Sequence, residues 1–345
     1  MKSGKKTWLG PVLIAVLLGA TIWVVFRDQP PAELVRALGQ VKLRYVVLGL
    51  LLMFAFVGCE AMSSRTILRQ LGDPAPYRRC LGYSFTGFVF SSITPSASGG
   101  QPAQVCCMAR DGIPAAHGAL VMLLNAICYQ VATLSLAVGA MVWRPALLHD
   151  LGGGLGFLLG MGMAVAVFLT FGMLAFLFAP RPAAALAGWV LTLGARLRLV
   201  RDLPAARRKL EGQMEEYRRG ADCLRARPTL LPRLLGLAGV QLISLYLVPG
   251  VVYGAFGLSG RGVPELVAMQ AILTLAVGFL PLPGAVGAAE GAFLRGYALF
   301  FGTELVAPAM LVSRGISFYC FLLIAAAAAL LAHLRARRRK AGVVR

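Results

Sequence analysis

Two interruptions constrain this chain more than any other feature. Thr94-Pro95-Ser96-Ala97-Ser98-Gly99-Gly100-Gln101 and Pro281-Leu282-Pro283-Gly284-Ala285-Val286-Gly287-Ala288-Ala289-Glu290 each break an apolar stretch with Pro and Gly, then continue into a polar or ionisable side chain. Backbone that leaves the helix inside a bilayer loses hydrogen bonds that lipid cannot replace. It survives only where protein or a water-filled cavity covers it. A pair of such breaks, one in each half of a chain, is the best sequence pointer to a transport site.

The 345 residues are 58% hydrophobic and only 14% charged, too apolar for an ordinary soluble domain. Long apolar runs recur along the whole length, so the expected fold class is an all-α integral membrane protein. The formal net charge is +20, with Lys and Arg between and after the apolar runs. The expected partners are therefore membrane lipids, through the anionic head groups of the cytoplasmic leaflet. No RNA-binding signature accompanies the charge, so nucleic acid is not expected. The seven cysteines include no Cys-x-x-Cys pair and the three histidines are scattered. Buried structural thiols are the expectation, with no metal and no cofactor.

Residues 8–26 read as a first span, with Lys2, Lys5 and Lys6 on its inner side. The run is long, and Arg27-Asp28-Gln29-Pro30 lacks the small-residue pattern of a signal-peptide cleavage site. Further full spans are expected at 45–62, 115–143, 151–179, 230–256 and 306–331. Shorter apolar pieces flank the breaks, at 81–93 and on to Met108, and at 266–280 and 292–301. Each pair suggests a re-entrant helical hairpin, the first opening inward and the second outward.

The expected topology is thus about six full transmembrane helices plus two re-entrant hairpins, in a bacterial-type plasma membrane with both termini cytoplasmic. The basic cluster Arg65, Arg69, Arg78 and Arg79 and the tail Arg335-Ala336-Arg337-Arg338-Arg339-Lys340 fit that orientation. The chain reads as one membrane domain: a first half at 8–180, a basic cytoplasmic segment at 181–228, a second half at 229–333 and a basic tail at 334–345. The segment 181–228 carries eleven Lys/Arg against five Asp/Glu. Leu210, Met214 and Tyr217 suggest an amphipathic surface helix there, with Glu211 and Glu215 placed for i,i+4 contacts. A solvated linker is the alternative.

The breaks share Pro-x-x-x-Gly, Pro95 to Gly99 and Pro283 to Gly287, and Gln101 and Glu290 follow at similar places. Downstream, Gly112 to Tyr129 matches the separation of Gly302 to Tyr319, with a register slip of two residues. This fits an inverted repeat, with coincidence as the competing account.

Few charges lie in the apolar part: Glu60, Glu290, Arg295 and Arg314. Each costs at least about 2.5–3.5 kcal/mol at the bilayer centre and needs a partner or water. Glu290 is placed as a carboxylate at a helix N-terminus, as half of an ion pair with Arg314, or as a contact for a cationic head group. Arg314 lies too deep for easy snorkelling, so it is either that ion-pair partner or an anion site. Arg110 suits the membrane surface, where a phosphate contact competes with an ordinary interfacial role. Glu60 is expected near the inner end of its span, paired with Arg65 or snorkelling. Gly99, Gly100, Gly284 and Gly287 permit tight turns, with helix packing as their other use. No Walker A loop, Ser/His/Asp order or metal-ligand cluster appears, so no catalytic residues are assigned.

The breaks, with Pro102, Arg110-Asp111-Gly112-Ile113, Gly291, and the last-span residues Ser313-Arg314 and Ser317-Phe318-Tyr319, resemble the lysylphosphatidylglycerol synthase transmembrane family. This is the membrane half of the multiple peptide resistance factor, and the likeness covers roughly residues 8–333. It implies a lipid translocator, flippase-like, that moves lysyl-phosphatidylglycerol or a related anionic or polyprenyl lipid between leaflets, a role tied to antibiotic resistance. The candidate substrate-binding set is Glu290, Arg314, Arg110, Gln101 and Tyr319 (a tyrosine in a span being more often a packing residue), with re-entrant turns at Pro95, Gly99, Gly100, Pro281, Pro283, Gly284 and Gly287. In two-part relatives a soluble C-terminal domain transfers lysine from lysyl-tRNA to phosphatidylglycerol. This sequence stops at Arg345 and is expected to lack that domain. The alternatives are a phosphatidylglycerol lysyltransferase, alone or with a separate lipid-modifying enzyme, and a non-transporting lipid-binding scaffold. A homo-oligomer is compatible with each. Ala285 departs from the family, which often has a second Gly there.

Overall fold

In a computed structural model the described residues are 39, 41–149, 152–178, 189, 192 and 203–343. The expected first span at 8–26 and most of 179–202 lie outside them. The helices are α1 (Leu43–Gln70), α2 (Tyr77–Ile93), α3 (Gly100–Arg110), α4 (Ala115–Trp143), α5 (Gly152–Phe178), α6 (Leu203–Arg225), α7 (Leu230–Tyr246), α8 (Val248–Ala255), α9 (Val263–Val277), α10 (Ala288–Arg314) and α11 (Phe321–Val343). Among the described residues there is no strand.

Chain punctuation sets most boundaries. Pro76 and Pro114 precede α2 and α4 in extended conformation, which residues entering a helix adopt readily. Pro249 and Pro264 sit in the first turns of α8 and α9, where the missing N–H costs nothing. α3 ends in a left-handed glycine cap. Gly112 has φ +92°, the Gly112 amide bonds the Ala109 carbonyl at 3.2 Å, and the Ile113 amide bonds that of Met108 at 3.1 Å.

Five helical stretches are long and apolar enough to cross a membrane: Leu43–Gln70, Ala115–Trp143, Gly152–Leu177, Leu230–Ala255 and Ala288–Ala332. They are the described counterparts of the expected spans. Bulky apolar side chains such as Phe157, Phe168, Phe171 and Leu323 face outward, the inverse of a soluble protein and favourable only against lipid. Hydroxyls are neutralised locally: Thr66, Thr86, Ser92, Thr133, Thr170, Ser244 and Ser317 each donate to the carbonyl four residues back.

α1, α4, α7 and α9 form the centre, α7 packing on α1 and α4, and α9 on α4 and α5. Tyr246, Tyr297 and Phe321 are the largest fully buried side chains. α6 bears out the amphipathic reading. Its Tyr217, Ala221 and Leu224 are buried, while Glu215 pairs with Arg219 at 3.2 Å on the outer side. It crosses one end of the bundle, where the Tyr217 hydroxyl donates to the Phe176 carbonyl at 3.2 Å and the Cys223 thiol meets the Gln70 carbonyl at 3.5 Å. α6 thus gathers the ends of α1 and α5.

Two features differ from expectation. α2 begins at Tyr77, not at 81, because Pro76 sets its start and its first turn accommodates Arg78 and Arg79. The pieces 292–301 and 306–331 are not separated by a loop. They run as α10, a π-helical segment Gly315–Cys320 and α11, interrupted only at Gly302, with φ 72° and ψ 170°. A single glycine outside helical conformation is enough to bend what would be a span of 45 residues, far longer than the roughly 20 a bilayer needs.

Candidate functional site

The two breaks meet. The first is a 3-10 turn at Pro95–Ala97 between α2 and α3, and the second a 3-10 turn at Pro283–Ala285 between α9 and α10. These turns pack on each other, and the second also packs on α2. A Cβ on Gly284 would lie 2.5 Å from the Phe318 ring and 3.4 Å from the Ser92 carbonyl oxygen. Gly284 also has φ +58°, so no other residue fits this approach well. Pro95, Ala97, Ser98, Pro281 and Leu282 stay exposed, which leaves the meeting point open on one side.

The backbones repeat each other. Ala97 and Ala285, each two residues after its proline, have φ 54° and 53°. A helix restarts five residues after each proline, at Gly100 and Ala288. Gly112 and Gly302, the matched glycines further on, also share positive φ. A left-handed alanine costs roughly 1–2 kcal/mol, of which Gly would return part to the unfolded chain. Ala97→Gly and Ala285→Gly should therefore each stabilise by about 0.5–1 kcal/mol, read as a raised unfolding midpoint of the purified protein.

Each break replaces its lost helical bonds differently. At the first, Thr94 Oγ1 accepts from the Gly99 amide at 2.9 Å and donates to the Phe90 carbonyl at 2.6 Å. At the second, an ion pair does the work. Glu290 Oε2 accepts from the Gly287 amide at 2.6 Å, and Glu290 Oε1 accepts from Arg314 Nε at 2.8 Å. Arg314 Nη2 donates to the Gly284 carbonyl at 3.0 Å, and the guanidinium lies 4.6 Å from the centre of the Phe318 ring. Glu290 is fully buried and caps the start of α10, where the helix dipole favours a carboxylate. Gly287 has no side chain to return the bond, so only half of a capping box is present. The carboxylate, with an N–H on each oxygen, is committed to structure.

Arg314 keeps donors to spare. Among the described residues two of its five N–H groups are used, and the side chain lines a cavity of about 190 Å³ beside the second break. Gln270, Thr274, Ser313 and Ser317 supply the other polar lining. Gln270 Nε2 donates to Thr274 Oγ1 at 3.3 Å, and Gln270 Oε1 accepts from the Tyr297 hydroxyl at 3.1 Å. The volume holds several waters or a phosphate-sized anion. A guanidinium with free N–H groups among neutral donors binds phosphate oxygens and offers nothing comparable to an amine.

The expected site residues thus divide. Glu290 and Arg314 come together with Gly284 and Gly287. Gln101 is exposed in the first turn of α3, Arg110 is exposed at the far end of that helix, and Tyr319 stacks edge-on against Phe318 in the π-helical segment. None of the three lines the cavity. Glu60 does not pair with Arg65: its carboxylate accepts from Gln104 Nε2 at 2.7 Å. Gln270 and Thr274 were not legible beforehand, because a lone Gln or Thr in an apolar helix carries no spacing signal. Among the described residues no group of three or more His, Cys, Asp or Glu could hold a metal ion.

Bent apolar helices around sheltered unwound backbone define a multi-pass, all-α integral membrane protein. The chain belongs to the lysylphosphatidylglycerol synthase transmembrane-region family, whose model matches residues 8–325. That membership gives it a role connected with membrane lipid. A search of curated proteins finds no match.

Proposed function

We propose that the protein is a lipid translocator that carries a phosphate-bearing lipid, lysyl-phosphatidylglycerol or a related anionic or polyprenyl lipid, between leaflets of the cell membrane. The observation that supports this most is Arg314, which holds the second break together and still presents donors to a cavity beside that break, among Gln270, Thr274, Ser313 and Ser317. In this reading the helix–break–helix units are re-entrant hairpins related by an inverted repeat, and both termini are cytoplasmic. The head group rests on Arg314 with Ser313 and Ser317 nearby, the acyl chains stay in lipid, and rocking of one unit against the other exposes the cavity to alternate sides. Glu290 acts through Arg314 and is not itself a head-group contact.

The test is transbilayer exchange in proteoliposomes with labelled lipids that differ only in head group. Lipids with a phosphate, with or without a lysyl amine, should exchange, and a labelled diacylglycerol should not exceed its protein-free rate. Equal acceleration of all lipids, or of none, would sink the reading. Lysyl-lipid made from lysyl-tRNA by the purified chain would favour the transferase instead.

A further inference from the structure

A second polar site lies beside the first break, with Gln104 buried and Glu60 half-buried. Gln104, in the second turn of α3, is 4% exposed. Gly87 of α2 makes room for it, since a Cβ there would fall 2.1 Å from Gln104 Nε2. The amide nitrogen donates to Glu60 Oε1 at 2.7 Å, while the amide oxygen is buried with no hydrogen-bond donor among the described residues. A buried amide oxygen left unpaired costs roughly 1–3 kcal/mol. Turning the amide over would set its oxygen against the Glu60 oxygen at the same distance, and two acceptors repel unless one carries a proton. Both orientations are completed by the same change: a protonated Glu60 whose O–H donates to Gln104 Oε1 while Gln104 Nε2 donates to the other carboxyl oxygen.

The described surroundings offer no countercharge. Among the described residues Glu60 makes no ion pair, and its one hydrogen-bond partner is Gln104. Tyr129 from α4 faces Glu60, and Tyr246 from α7 lies next to Tyr129; Tyr77 and Cys80 from α2 lie by Cys59, the neighbour of Glu60 on α1. Arg65, further along α1, acts on Cys80. α8 meets α1 near Tyr45, the π-helical segment meets it at Gly49 through Ile316, and α6 meets it at Gln70. A bare carboxylate in this setting is expensive, and a carboxyl group that can gain and lose a proton is the usual reason to keep one.

We propose that Glu60 and Gln104 form a proton-binding site. In this conformation Glu60 holds a proton taken from water on one side, and movement of α2 and α3 separates it from Gln104 and releases that proton to the other. One proton then accompanies each movement of the lipid site. The coupling rests on the translocator reading, whereas the proton binding does not.

Infrared spectroscopy of the full chain in phosphatidylglycerol vesicles at neutral pH reads the proton directly. A protonated-carboxyl band is expected in the wild type and its loss in Glu60→Gln, which recreates the reciprocal amide pair and so should fold. Identical spectra in the carboxyl region would overturn the proposal. The same vesicles with an imposed pH gradient test coupling. With one proton per lipid, a gradient of one unit should shift the steady-state transbilayer ratio of a labelled anionic lipid about tenfold. Glu60→Gln should leave that ratio near one. A wild-type ratio indifferent to the gradient would refute coupling. If the wild type moved no lipid at all, the translocator reading would fall, and the infrared band would still decide whether Glu60 binds a proton.

Discussion

Arg314→Ala should abolish lipid exchange and lower stability together. Its removal leaves Glu290 fully buried with the Gly287 amide as its only partner among the described residues, and strips the Gly284 carbonyl of its donor. Breaking a buried ion pair by deleting one member costs about 3–5 kcal/mol, more than the pair itself is worth, because the surviving charge is stranded. The second break should therefore loosen, and chemical denaturation in detergent should show the loss. A head-group phosphate would also lose one or more charge-assisted hydrogen bonds of about 1.5–3 kcal/mol each, a fall of about ten- to a hundredfold in affinity.

Those two effects can be separated. Replacing both members by neutral groups of similar volume, Glu290→Gln with Arg314→Met, removes the stranded charge, and such exchanges are often neutral for stability. The double variant should recover most of the stability lost in Arg314→Ala yet bind no phosphate and move no lipid. Exchange restored along with stability would show that Arg314 serves the fold alone. Arg314→Lys is the sharper control. A lysine keeps the charge but cannot bond Glu290 and Gly284 while facing the cavity, since it lacks the rigid fork.

How much was readable from the chain follows from which interactions are local. Pro and Gly act on their own backbone, so the breaks and helix ends such as Gly112 appear at the expected positions. The scarcity of intramembrane charges and the depth of Arg314 in its span put the Glu290–Arg314 ion pair among the readings, beside an anion site on Arg314, and the structure shows the pair. Three things resisted. The joining of 292–301 to the last span turned on the conformation of Gly302 alone. The cavity lining comes from Gln270, Thr274, Ser313 and Ser317 on separate stretches of chain, and only tertiary packing gathers them. For Glu60 the sequence offers pairing with its neighbour Arg65 or snorkelling. Five residues apart on a helix, however, they point in different directions, and Gln104 reaches Glu60 from another element.

Gly100→Val is the second large effect, and it tests whether the first break must be tight. Gly100 is buried where α3 restarts against α2. A Cβ there would lie 2.0 Å from Ser91 Oγ and 2.7 Å from the Gly87 carbonyl oxygen. The serine hydroxyl can rotate away, but the Gly87 carbonyl belongs to the backbone of α2 and cannot. The helices must separate, and overpacking of this kind costs about 1–3 kcal/mol. Separation also draws Gln104, one turn further along α3, away from Glu60. The expected result is a lower unfolding midpoint with lipid exchange lost, while Gly112→Asn, at a left-handed cap with open space around it, changes neither by much. Gly100→Val with wild-type exchange would mean that close contact between α2 and α3 is dispensable, and that the first break is a connection and not a working part.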